Sequence, residues 1–226
     1  MQGFQAILAA TKKVVIILET SGIFTQRFLE GLQKLVDHHH FIYPTIPPQG
    51  IYFEALVERA FKQVRQPATR VKPTTRNAPR DDLNVGNVRL SIKTETGLST
   101  NPDFIQITKL LTTEKKPWTA ESLINRALQH LSRYDCILML RAIWRLPVIH
   151  YQLVDIPVTL LRSIEGADLK PVGKLADQQS LGADIYRGEK KVFHVHFDAS
   201  DRKCQIRGLA VADCNLLFAW DIQPSD

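Results

Sequence analysis

The segment Asp82–Glu95 constrains this chain more than any other. Gly86-Asn87 stands between two runs of alternating apolar and polar residues. That is the pattern of a two-residue β-hairpin turn, with glycine supplying a positive φ. Pairing across the turn sets Val85 against Val88, Asn84 against Arg89, Leu83 against Leu90 and Asp82 against Ser91. One face then carries Leu83, Val85, Val88, Leu90 and Ile92, and the other Asp82, Asn84, Arg89, Ser91, Lys93 and Glu95. A slip of one residue would turn the apolar set into water, so the register is strongly specified. It also separates two adjacent aspartates: Asp82 falls on the polar face and Asp81 on the core side.

A carboxylate, a lysine and a second acid at a sheet edge suit phosphodiester hydrolysis. Mg²⁺ takes one or two carboxylates and keeps several waters. It polarises the phosphate and eases loss of a proton from water. A lysine can orient or deprotonate that water and offset charge in the transition state. The same residues also fit a plain hairpin with a solvated salt bridge from Lys93 to Asp82 or Glu95.

The elements around the hairpin alternate. Phe24, Phe28, Leu32 and Leu35 recur at helical spacing, and His38–His40 with Pro44, Pro47 and Pro48 are expected to end that helix. A second helix near Tyr52 carries Phe53, Leu56, Val57, Ala60, Phe61 and Val64 as its apolar stripe. Residues 104–111 read as a short strand, Thr119–Leu131 as a helix, and Cys136–Leu140 as a strand covered on both faces. Val148–Val154 reads as a strand, and Pro157 opens a helix with Leu160, Leu161 and Ile164. Three strand-like runs follow: Lys191–Phe197, Lys203–Leu209 and Asn215–Ile222. This order implies an α/β core with a C-terminal antiparallel β extension. The expected division is a helical part (1–48), a core (49–165) and a β-rich part (166–226) within one domain.

The formal charge of +6 permits a polyanionic partner without requiring one. Cys136, Cys204 and Cys214 are too few, and odd in number, for a disulfide framework, which suits a reducing cytoplasm. No apolar run reaches membrane-spanning length, and Val14–Leu18 reads as a buried segment. Arg65 to Arg80 is a basic stretch without an acid, so Arg70, Lys72 and Arg76 are candidate phosphate contacts, with solvated surface charge as the plainer reading. Arg202, Lys203 and Arg207 near the last strand turns are the other candidates for touching DNA. His38–His40 cannot all face one point on a helix, and His194, His196, Cys204 and Cys214 match no common zinc spacing.

Asp82, followed nine residues later by Ser91-Ile-Lys93, resembles the PD-(D/E)xK nuclease superfamily, type II restriction endonucleases in particular. A preceding helix with a glutamate (Tyr52-Phe-Glu54-Ala-Leu-Val-Glu58), the helix and buried strand over 119–140, and Val148–Pro157 are similar in order to that group's elements. The resemblance covers roughly residues 50–165. It implies a restriction-endonuclease-like central mixed sheet flanked by helices, and Mg²⁺-dependent cutting of a short specific sequence in double-stranded DNA. Asp82 would hold the metal, Lys93 the water, and Ser91 would hydrogen-bond Asp82 or a water.

The sequence departs from the motif at Ser91, where that group has Glu or Asp, so the second metal ligand would be Glu54 or Glu95. At 100° per residue Glu54 borders the apolar stripe of its helix, while Glu58 is placed to pair with Lys62. A palindromic target implies a two-fold homodimer, with a cognate methyltransferase acting on the same site and a prokaryotic cytoplasmic location. A repair or resolvase-type nuclease, or a non-catalytic DNA-binding protein, are the alternatives.

Overall fold

The computed structural model describes residues 22–71, 82–113, 116–145, 147–173 and 179–223. The elements run α1 (Gln26–Ile42), α2 (Ile51–Gln63), β1 (Ala68–Arg70), β2 (Leu83–Val85), β3 (Val88–Gly97), β4 (Phe104–Thr112), α3 (Ala120–Leu131), β5 (Cys136–Arg145) and β6 (Val148–Ile156). There follow α4 (Val158–Leu161) with a 3₁₀ turn, then β7 (Lys170–Val172), β8 (Ser180–Arg187), β9 (Lys190–Asp198), β10 (Lys203–Ala210) and β11 (Asn215–Ile222).

Two sheets result. The six-stranded sheet has the order β1-β2-β3-β5-β6-β11, and the five-stranded antiparallel sheet the order β4-β10-β9-β8-β7. Within the first, β3 and β5 run parallel from Leu90↔Cys136 to Gly97↔Ile143, joined through β4 and α3, while β5 and β6 are antiparallel. The central sheet is therefore mixed, as expected. The sequence reading named the strands without their partners, and two pairings cross the sequence order. The 104–111 strand stands in the second sheet, where β4 pairs with β10. The last strand returns to the central sheet beside β6 instead of extending the β-rich part. Alternation alone says which face of a strand is buried, not which neighbour it finds.

Strand β5 shows how the layers form. Cys136, Leu138, Leu140 and Ala142 pack with Phe28, Leu32, Phe53, Val57 and Phe61 of α1 and α2. Ile137 and Met139 pack instead with Leu123, Ala127 and Leu131 of α3 and with Phe193, Val195 and Ile206 of the second sheet. A strand covered on both faces must read as a continuous apolar run, and this one does.

The helices start where their chemistry allows. Thr25 caps α1, its Oγ1 accepting from the Phe28 N–H at 3.3 Å, and Thr119 caps α3 by accepting from the Ser122 N–H at 3.3 Å. The histidine run does not end α1, which continues to Ile42. His40 instead turns inward and bonds the Tyr151 hydroxyl at 2.6 Å, tying the end of α1 to β6. All three cysteines are free and buried. No helix among the described residues is long and apolar enough to cross a membrane.

Candidate active site

The β2–β3 hairpin has the register its sequence demands: Leu83↔Leu90, Asn84↔Arg89 and Val85↔Val88. Gly86 supplies the turn with φ 57°. Arg89 then ties the hairpin to the start of β5, its guanidinium gripping Asp135 at 2.8 and 3.1 Å. The Leu83, Val85, Leu90 and Ile92 side chains sink into the α1–α2 layer. Ser91, Lys93 and Glu95 therefore project from the opposite face, where their β5 partners Ile137, Met139 and Arg141 also point.

Asp82 stands at the mouth of β2, and its carboxylate is held from one side only. Oδ2 accepts the Ile92 N–H at 2.6 Å and the Ser91 hydroxyl at 3.2 Å, and lies 3.6 Å from Lys93 Nζ. Oδ1 has no partner among the described residues. Ser91 is fully buried, whereas the Asp82 and Lys93 side chains keep 16% and 21% of their surface. The serine thus acts as an internal support for Asp82, and the acid and the ammonium stay in reach of a substrate. A partly exposed carboxylate oxygen suits a hard cation that keeps part of its hydration shell. The donor set fits Mg²⁺ through Asp82, although the described residues hold no cluster of three or more His, Cys, Asp or Glu that would cage a metal alone.

The two candidate second acids differ. Glu95 is 9% exposed and has both oxygens engaged: Oε1 accepts the Gln106 N–H at 3.0 Å, and Oε2 accepts from Arg141 Nε at 2.6 Å. Arg141, fully buried, also donates to the Pro102, Phe104 and Asn101 carbonyls and to Gln152. Burial raises the Glu95 pKa more than the guanidinium lowers it. This network fastens β4 across β3. Glu54 lies in the first turn of α2, partly exposed, in the layer covering the Leu90–Ile92 face. Its neighbour Glu58 pairs with Lys62 at 2.5 Å, as the i,i+4 spacing implies, and also with Arg70 at 2.7 Å.

His130 is the site residue that sequence reasoning missed. It sits in the last turn of α3, with Nε2 2.8 Å from the Tyr134 hydroxyl and the ring bonded to the Leu110 carbonyl. Since that carbonyl only accepts, the neutral ring gives its one proton there and Nε2 accepts from Tyr134. Burial, then the positive charges of Lys93 and Arg133, push its pKa down to about 4, opposed weakly by Asp82. A neutral imidazole therefore lies within electrostatic reach of Lys93 and Asp82 at pH 7. The i,i+4 spacing of His130 and Tyr134 at a helix end was the only signal that pointed to it.

The remaining candidates lie apart from this centre. Arg202 occupies a turn at φ 52°, Lys203 pairs with Asp201 at 2.7 Å, and Arg207 is propped on Gln205 Oε1 at 2.6 and 3.0 Å. Lys72 and Arg76 fall outside the described residues. His194 bonds Asp184 at 2.7 Å on the solvent face of the second sheet.

Comparison with known proteins gives the family. Residues 6–222 match the SmaI family, described as type II site-specific deoxyribonuclease. The chain is 28% identical over 210 residues to the type II restriction enzyme SmaI of Serratia marcescens, covering 90% of this chain and 83% of that protein. No solved structure matches.

Proposed function

The chain belongs to the SmaI family of type II site-specific deoxyribonucleases and cuts double-stranded DNA at a specific site; from that premise we propose that Asp82, Ser91 and Lys93 form its catalytic centre, with Mg²⁺ as cofactor. The observation that carries the assignment is the grip on Asp82: Oδ2 is bonded by Ser91 and the Ile92 N–H and lies near Lys93, while among the described residues nothing bonds Oδ1.

Mg²⁺ held by Asp82 would supply charge to the phosphate under attack. Lys93 orients the attacking water and balances the charge that grows on the phosphoryl oxygens. Ser91 and the Ile92 N–H fix the Asp82 rotamer, so the acid need not reorganise during the reaction. For the second carboxylate the two candidates differ in kind: Glu95 shares the Lys93 face but is taken by Arg141 and the Gln106 N–H, whereas Glu54 belongs to the helix layer on the other face, so the reading rests on Asp82 as the metal-holding acid. Arg202, Lys203 and Arg207, with Arg70, Lys72 and Arg76, are the proposed DNA contacts. Two chains would act together on a symmetric site, in the prokaryotic cytoplasm, with a cognate methyltransferase protecting the same sequence.

Plasmid digestion with Mg²⁺ tests this. The wild type should give discrete fragments. Asp82→Ala and Lys93→Ala should each lose roughly 10²–10⁴-fold in rate with unchanged thermal melting. Wild-type-like cutting by either variant would remove that residue from the centre.

A further inference from the structure

The end of α1, the connection over 43–50 and the start of α2 display an unusual set of side chains. Phe41, Ile42, Tyr43, Ile46, Ile51 and Tyr52 are all large, apolar and exposed, Phe41 to 80% and Tyr52 to 71%. They fall within twelve consecutive residues. Summed residue by residue they expose roughly 700 Å², close to the ~800 Å² per partner of a stable protein interface.

The segment is built to hold this surface outward. His39 Nε2 bonds the Ile46 carbonyl at 2.8 Å and His40 Nδ1 the Pro44 carbonyl at 3.0 Å. The Ile46 N–H donates to the Tyr43 carbonyl at 3.2 Å. Two histidines of the run thus fix the connection, which keeps its apolar residues from folding back onto the core. The patch is also tied to the catalytic hairpin: Gln49 Nε2 meets Thr96 Oγ1 at 3.4 Å. Thr96 is three residues past Lys93, about 10 Å along the strand. Leu98, 82% exposed, follows just beyond.

We propose that this surface is where a second copy of the chain docks, in an isologous contact that carries two catalytic hairpins onto one duplex. The inference rests on the two-chain reading above. Each chain carries one Asp82–Lys93 pair, and a cut through both strands needs two. The exposed area matches one side of a self-complementary interface of standard size. Its position on the frame that carries β3 couples the interface to the site without blocking Lys93, which leaves the opposite face of the sheet.

The test is sedimentation of the full-length protein at micromolar concentration, wild type against Phe41→Lys and Ile46→Glu. Phe41 is in the last turn of α1, where a lysine suits the helix dipole, and both side chains are exposed, so folding should be retained. The expected result is a wild-type dimer and a dissociation constant raised at least 100-fold in the variants, with unchanged melting. Double-strand cutting should then give way to nicking at low enzyme concentration. A monomeric wild type, with or without DNA, overturns the proposal, whether residues 1–21 or another protein cover the patch. Variants that dimerise like the wild type overturn it too. If the wild type dimerises but never cuts DNA, the catalytic reading fails and the interface stands. If it cuts while the variants stay dimeric, only the interface fails.

Discussion

At the scale of single residues, the surroundings of Asp82 and Lys93 include one neighbour that burial keeps neutral. His130 is that neighbour. Its pKa falls from the ordinary 6.5 to about 4 in the folded protein. Between those values the unfolded chain binds a proton that the folded chain refuses. Stability is therefore full above pH 6.5 and is lost as pH falls towards 4, by at most about 3 kcal/mol. Denaturant melts at pH 7.0 and 4.5 should show this loss, and His130→Gln should reduce it, the remainder coming from His40 and His196, whose pKa values burial also lowers; an equal loss in the variant would assign it to other groups. Glu95 and His130 also mark what single residues reveal in sequence. Alternation correctly put Glu95 on the polar face of β3, yet gave no hint that β4 covers that face or that Arg141, forty-six residues away, takes the carboxylate. His130 sits on an otherwise ordinary amphipathic helix, and its proximity to Lys93 is a long-range fact. Asp82, Ser91 and Lys93 were legible because one short hairpin fixes all three.

At the scale of elements, the strongest local constraint lies in the second sheet. Gly182 on β8 pairs with His196 of β9, and the neighbouring His194 ring lies over it, held by Asp184. A Cβ at Gly182 would meet His194 Nε2 at 2.8 Å and the Val195 carbonyl oxygen at 3.0 Å. The ring can swing away only by giving up Asp184, and the carbonyl is part of the ladder. Gly182→Ala should cost about 1–3 kcal/mol. Adding His194→Ala should return part of that, since the two sites share the clash. Calorimetry of the single and double variants reads this directly, and a neutral Gly182→Ala would show that the strands yield more easily than their spacing suggests. The elements themselves were mostly visible in sequence: both early helices, the hairpin, α3 and the apolar run of β5 stand where periodicity placed them. Partnership was not visible. β4 stands in the second sheet and β11 in the central one, because a strand's pattern records its buried face, whereas pairing is decided by what the rest of the chain leaves beside it.

At the scale of the whole molecule, a net charge of +6 must be spread so that a duplex is held without masking the proposed catalytic acid, Asp82. Several cations are already committed inside the protein. Arg141 is buried with Glu95, and Arg89 grips Asp135. Those charges cancel locally and contribute little to the field at the surface. The turn between β9 and β10 differs: Lys203 pairs with an exposed aspartate, a contact of small worth in water, and Arg207 is held by a neutral amide. Charges of this kind are available to phosphate. Each phosphate that is no longer neutralised should lower the slope of log K against log salt by about 0.9. Arg202→Ala, Lys203→Ala and Arg207→Ala combined should therefore flatten the slope by about 2.7 per chain if all three touch the backbone. Titrations of a cleavage-dead Asp82→Ala background across roughly 50–200 mM salt would measure it. A fall in affinity with the slope unchanged would mean that these side chains read bases or merely shape the turn. An unchanged affinity would move the DNA to another face of the molecule.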